Sequence, residues 1–179
     1  MEKNGKAVKE IRSKNLKITN KPIVYYWWFS KKIISTLLYP LDNHYDKNRI
    51  KYKKINNQNY GLLYIGRAKD GNDRLVKYHI FDSSNFHNKG VENGRLSSLR
   101  QTLCGLLKIE MSKGKDIINE YIDNHCFVEW DILTSNELVE NEKKLIKANY
   151  LPLNHQNTKG ILTPEHRKIL TKLKQDVKV

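Results

Sequence analysis

Apolar runs separated by polar breaks divide the chain into a small set of elements. Residues 23–29, IVYYWWF, are aromatic and β-branched without a polar interruption, a composition that favours a strand. LLYI at 62–65 reads as a second strand, and CFVEWDIL at 126–133 alternates well enough for a third. Elsewhere the period changes. Leucines at 96, 99, 103, 106 and 107 recur at the intervals of an amphipathic helix. DRLVKYHIF, 73–81, predicts a helix capped by Asn72 or Asp73, and KDIINEYI, 115–122, another short helix. Thr134 and Glu137 are spaced as a capping box for a helix that LPLN, 151–154, brings to an end. FDSSNFHNKGVENG, 81–94, reads as a polar loop.

The coarse order is therefore β-β-α-α-β-α. It predicts an α+β fold, a small three-stranded, mainly antiparallel sheet flanked by helices. Basic extensions lie outside it. Residues 1–21 hold seven Lys or Arg against two Glu and few apolar positions, the composition of an arm that is flexible or only partly helical. Residues 158–179 read as a basic C-terminal helix. The domain between them spans 22–157, with an insertion at about 30–60. A short helix stopped before Pro40 begins that insertion, and DKNRIKYKK, 46–54, carries five cations to one acid.

Charge narrows the function further. The 179 residues carry 33 Lys and Arg against 19 Asp and Glu, a formal charge of +14. A field of that sign attracts polyanions, and nucleic acid is the first candidate because each neutralised phosphate releases counterions. An anionic membrane surface fits less well, since the basic segments have few large apolar residues to insert in lipid. No apolar run approaches the roughly 20 residues that span a bilayer. The first residues have charge but no apolar stretch of a secretory signal, so a cytoplasmic location is expected. Cys104 and Cys126, the two cysteines, lack metal-ligand spacing and read as reduced, buried thiols.

One acid stands in the wrong place for a solvated face. On a helix turning about 100° per residue, Leu138, Val139, Leu145 and Ile146 form an apolar stripe, and Glu142 falls inside it. An unpaired buried carboxylate costs several kcal/mol. Glu142 is therefore paired with a cation, holding a metal, or on a helix rotated enough to reach water. Arg74 is the second oddity, a cation in a first helical turn, where the dipole disfavours it. An exposed arginine is the plain alternative.

Together these residues resemble the GIY-YIG endonuclease family over about residues 22–157. LYIG at 63–66 matches the second half of the name motif, and IVY at 23–25 the first half, with Ile23 in place of glycine. Arg74 has the offset of the family arginine, EKKLI at 142–146 fits the late glutamate helix, and Asn154 suits the closing asparagine. Two departures stand out: the missing glycine before Val24, and a gap from Tyr25 to Tyr64 far longer than the usual hairpin. The insertion in that gap is expected to contact DNA.

The resemblance implies a metal-dependent DNA endonuclease that hydrolyses phosphodiester bonds, of restriction or defence type. A single Mg²⁺ (or Mn²⁺) would sit on Glu142. Arg74 would clamp the scissile phosphate, Tyr25 or Tyr64 would take the proton from water, and Asn154 would anchor the glutamate helix or orient Glu142. Tyr78, four residues after Arg74, occupies the place where members carry His or Tyr, with His79 the second choice. Tyr26, Trp27 and Trp28 are assigned to packing. DNA is the expected partner, no membrane is expected, and a homodimer suits cleavage of both strands of a palindrome. The competing readings are a non-catalytic nucleic-acid-binding protein on the same scaffold and a basic RNA-associated protein.

Overall fold

The apolar strand at 23–29 becomes the centre of the sheet because both of its faces are covered. In the computed structural model, which describes residues 4–178, β2 (Ile23–Ser30) is buried along its whole length. Tyr25, Trp27 and Phe29 enter the larger core, while Val24, Tyr26 and Trp28 enter a smaller core on the opposite face. Alternate residues of a strand point to opposite faces, so an uninterrupted apolar run requires helices on both sides.

The architecture is α+β, as expected, but the antiparallel sheet has five strands, not three. Its order is β1 (Asn4–Ala7), β5 (Cys126–Ile132), β2, β4 (Gln58–Ala68) and β3 (Tyr52–Ile55). Both missed strands are four-residue edges with alternating half-exposed positions, too short and too polar to show as apolar runs. β3 had one readable signal. Asn56 and Asn57 take positive φ of 45° and 63°, and such a pair between strands makes a two-residue hairpin. The N-terminal segment is likewise ordered over part of its length. β1 pairs with β5, and α1 (Val8–Ser13) buries Val8 and Ile11 completely.

α2 (Lys31–Leu37) follows β2. After β4 comes a helix over Asn72–Phe81 that is wound as a π-helix, with bonds reaching i→i+5. Its N-cap is Gly71, not Asn72 or Asp73, and the side chain that serves the first turn is Asp70, whose Oδ1 accepts from the Asp73 N–H at 3.0 Å. Asn72 is instead buried and ties down the segment between α1 and β2, accepting from the Ile18 N–H and donating to Asn20. The segment expected as a polar loop contains a helix, α3 (Ser84–Glu92). Its His87 is buried against the Asp82 carboxylate at 2.7 Å, an anchor that hydropathy does not register.

α4 (Ser98–Leu107) and α5 (Gly114–His125) cover the same sheet face as the π-helix, and α7 (Pro164–Asp176) packs on α4. α6 (Leu138–Ala148) lies on the other face, burying Leu138 and Ile146. Cys104 and Cys126 are buried free thiols, pushed up in pKa by burial. Among the described residues no helix is long and apolar enough to cross a membrane.

Candidate active site

The hairpin strand β3 pairs with β4 only as far as Gly61. Beyond that residue the outer edge of β4 is free of a neighbouring strand, and backbone N–H and C=O groups there need partners. Asn154 supplies them. Its Oδ1 accepts from the Ile65 N–H at 3.0 Å and its Nδ2 donates to the Ile65 carbonyl at 2.8 Å, while the Leu153 N–H donates to Leu63. The side-chain amide thus replaces a missing strand. Asn154 joins the segment after α6 to the strand that carries Tyr64, and its contacts are to Ile65 rather than to Glu142.

Around this edge the two faces of the sheet meet in one cleft of about 340 Å³, lined by Tyr25, Tyr64, Arg67, Arg74 and Glu142 among others. Each side chain arrives by a separate route. Tyr25 sits opposite Gly66 in the β2–β4 register, and Trp27 sits opposite Tyr64, so both tyrosines point from the same face. The π-helix brings Arg74 over that face. α6, on the other face, brings Glu142 to the rim.

Gly66 lies inside the strand, since β4 continues to Ala68. A glycine inside a strand marks a close approach, and here the approaching group is the Tyr25 phenol. A Cβ on Gly66 would lie 2.5 Å from Tyr25 Oη and 2.6 Å from its Cζ.

Tyr25 Oη is hydrogen-bonded to His79 Nε2 at 2.7 Å, and His79 Nδ1 to Ser97 Oγ at 3.0 Å. His79 is completely buried and touched edge-on by Trp27, Tyr64 and Tyr78. Burial, then the Arg74 and Arg100 charges, hold its pKa well below the ordinary imidazole value, so the ring is neutral. Burial also pushes Tyr25 up well above the usual phenol, with the neighbouring Tyr64 adding to it and Arg74 opposing. Tyr64 is pushed up to about 12 by burial, again opposed by Arg74.

Tyr78 does something else. Its ring lies under the Arg74 guanidinium at 4.5 Å and packs edge-on against Phe86. It therefore holds Arg74 from below, while the contact to Tyr25 falls to His79. An α-helical period places residue i+5 well off the face of residue i. A π-wound segment advances more slowly per residue, and the fifth residue after Arg74 comes back toward the site. The second choice at the sequence level is thus the side chain that touches the phenol.

Glu142 is half-buried, as its position in the apolar stripe requires, and it is paired with Arg67 Nε at 2.7 Å. Burial raises its pKa even so, because Arg67 is itself 40 % exposed and its charge is partly screened. Arg74 is hydrogen-bonded to the Tyr25 phenol and lies over the Tyr78 ring, but it makes no ion pair among the described residues, so its charge can meet an anion in the cleft. Arg67 was not foreseen; it follows YIG directly, and only the fold shows that it faces α6.

The donor set can be tested against a metal. Among the described residues no group of three or more His, Cys, Asp or Glu converges to form a protein cage. One carboxylate at a solvent-reachable rim suits a hard ion that keeps waters and takes phosphate oxygens for its other positions, as Mg²⁺ does. Glu142 fits that description.

Behind this centre Arg100 is fully buried. It donates to the carbonyls of His79 and Lys115 and to Asn119, and pairs with Asp82 at 3.0 Å. It fastens the C-terminal end of the π-helix, and hence His79, to α5.

A family model described as GIY-YIG catalytic domain matches residues 23–176, from the start of β2 to the end of α7. No curated protein and no solved structure matches the chain.

Proposed function

The chain belongs to the GIY-YIG catalytic domain family, a family of endonucleases, and from that premise we propose that it is a divalent-metal-dependent DNA endonuclease hydrolysing phosphodiester bonds. The observation that carries the proposal is the convergence of two phenols, a guanidinium without an ion pair among the described residues and one carboxylate on a single cleft. The net charge of +14 supports a polyanionic substrate.

In this reading the Arg74 fork binds two non-bridging oxygens of the scissile phosphate, held in orientation by the Tyr78 ring. Tyr25 takes the proton of the attacking water as its own proton passes to His79 Nε2 along the 2.7 Å bond. That transfer uses the tautomer in which Nδ1–H donates to Ser97. A neutral His79 can accept a proton, although Arg74 and Arg100 oppose the resulting charge. Phosphate bound to Arg74 offsets one of those charges, so the substrate itself makes His79 more basic. Tyr64, beside the same guanidinium, orients the water or the phosphate. Glu142 would hold Mg²⁺ or Mn²⁺, and a bound ion supplies positive charge for the departing 3′ oxygen. Asn154 keeps Tyr64 in place through Ile65.

A restriction or defence role is the biological setting we propose for this activity. The cation-rich hairpin contributes to DNA contact through Lys47, Lys51 and Lys54, which are exposed, whereas Lys53 pairs with Glu129 and Arg49 stacks on Tyr150. Cleavage of both strands of a symmetric site would use two copies of the chain.

The test is to incubate the purified protein with duplex DNA and Mg²⁺ or Mn²⁺ and to sequence the ends produced. Metal-dependent cleavage with defined ends is expected. Tight, salt-sensitive binding without any cleavage across broad DNA panels would establish the non-catalytic reading instead.

A further inference from the structure

Like charges gathered without acids weaken the free protein, so such a gathering marks a place for an anion. One lies next to the catalytic cleft. A second polar cavity of about 250 Å³ shares Tyr64, Ser98, Glu142, Gln156 and Asn157 with that cleft, and on its far side it is lined by Arg95 and Lys174. The two hollows therefore form one passage.

α7 supplies the far wall. Arg167, Thr171, Lys174 and Lys178 follow one another at i, i+4, i+7 and i+11, which places them on a single stripe of the helix and its final turn. The helix is pressed against α4 by a close approach. A Cβ on Gly105 would lie 2.8 Å from the Leu173 backbone, and Gln101 Nε2 donates to the Lys174 carbonyl. Lys174 is consequently half-buried, and burial, Arg95 and Lys178 together push its pKa down. His155, hydrogen-bonded to Thr171, is pushed down by burial and by Lys174 and Arg167. Arg95, Arg167, Lys174 and Lys178 make no ion pair among the described residues, although Glu165 and Asp176 lie on the same helix. Eleven residues at 1.5 Å each span about 16 Å, the axial rise of about five nucleotides of one strand.

We propose that Arg95, Arg167, Lys174 and Lys178 form a track for the phosphate backbone of the strand being cut, leading from the catalytic cleft along α7. The proposal rests on the endonuclease reading and extends it. Arg74 takes the scissile phosphate, and the track takes phosphates several nucleotides away. It positions the strand and carries no base readout.

The test compares two variants of the same helix with equal loss of charge, K174Q/K178Q in the track and K168Q/K172Q at exposed positions off the stripe. Binding to a duplex is measured without divalent metal over a range of salt, and cleavage is measured with Mg²⁺. The track variant is expected to lower the slope of log Kobs against log [salt] by about 2, at about 0.9 per phosphate contact. It should raise KM and leave kcat within a few-fold, with a thermal midpoint at or above that of the unaltered protein. K168Q/K172Q should change the slope by less than 1, and the exposed R95Q alone should lower it by about 1. Equal slope losses in the two double variants, or an unchanged slope in K174Q/K178Q, would overturn the track while leaving a cutting enzyme intact. An unaltered protein that neither binds nor cuts DNA would overturn the endonuclease reading, and the track with it.

Discussion

Replacing Gly66 with alanine tests how tightly the Tyr25 phenol is held. The added methyl would lie 2.5, 2.6 and 2.7 Å from Oη, Cζ and Cε2 of Tyr25, where ordinary contact begins at 3.4 Å. The ring must therefore retreat by about 1 Å, or the two strands must part. Tyr25 is buried and its hydroxyl is fixed to His79 at 2.7 Å, so a retreat of that size breaks the bond. Overpacking costs about 1–3 kcal/mol, and the lost hydrogen bond about 1 kcal/mol more. For a chain of this length that lowers the thermal midpoint by about 4–16 °C. A reacting group displaced by 1 Å costs about 100-fold in rate. Differential scanning fluorimetry and single-turnover cleavage measure the two effects. G66A with an unchanged midpoint and full cleavage would refute the account of Gly66, since the phenol would then have room that the geometry denies it.

Other consequences concern the groups around the phenol. Glu142→Gln should abolish cleavage yet stabilise the fold at neutral pH. Burial raises the folded-state pKa of Glu142, so its contribution is complete at low pH and is lost as pH rises through that pKa. The gain should vanish below the ordinary carboxylate range, which unfolding at pH 7 and pH 3.5 checks. Arg67→Gln removes the cation that opposes this rise, and the acid limb of the cleavage pH profile should move to higher pH. Arg100→Met leaves the buried Asp82 without its guanidinium partner, with the His87 ring still against it, and strips the π-helix carbonyls of a donor, so it should cost about 3–5 kcal/mol by denaturant unfolding. Asn154→Asp keeps the acceptor for the Ile65 N–H and loses the donor to its carbonyl. It should cost about 1–3 kcal/mol and lower cleavage through Tyr64.

What could be read from the chain alone follows from which signals are periodic. Ile23–Ser30 was legible because a strand covered on both faces is apolar at every position. Glu142 was legible because an acid inside an apolar stripe breaks a strong pattern. β1 and β3 were not, because a four-residue edge with one exposed face carries about two apolar positions. α3 was hidden for a related reason, since its buried anchor is His87 against Asp82, a polar pair. The contact of His79 with Tyr25 was not legible because a helix of 3.6 residues per turn puts Tyr78, not His79, on the Arg74 face, and a π-wound segment has no sequence signature of its own. Arg67 was hidden because its partner is on α6, across the fold from β4, and the place of the α7 stripe because it depends on how α7 packs against α4, a contact that local spacing does not encode.

The most direct measurement of the central claim, that one centre built from Tyr25, Arg74 and Glu142 does the hydrolysis, is single-turnover cleavage set beside binding. Under saturating Mg²⁺, Y25F, R74A and E142Q should bind the DNA substrate within a few-fold of the unaltered protein and cut it at least 10³-fold more slowly. Any of the three that binds and cuts at the unaltered rate would place the chemistry elsewhere and contradict the account.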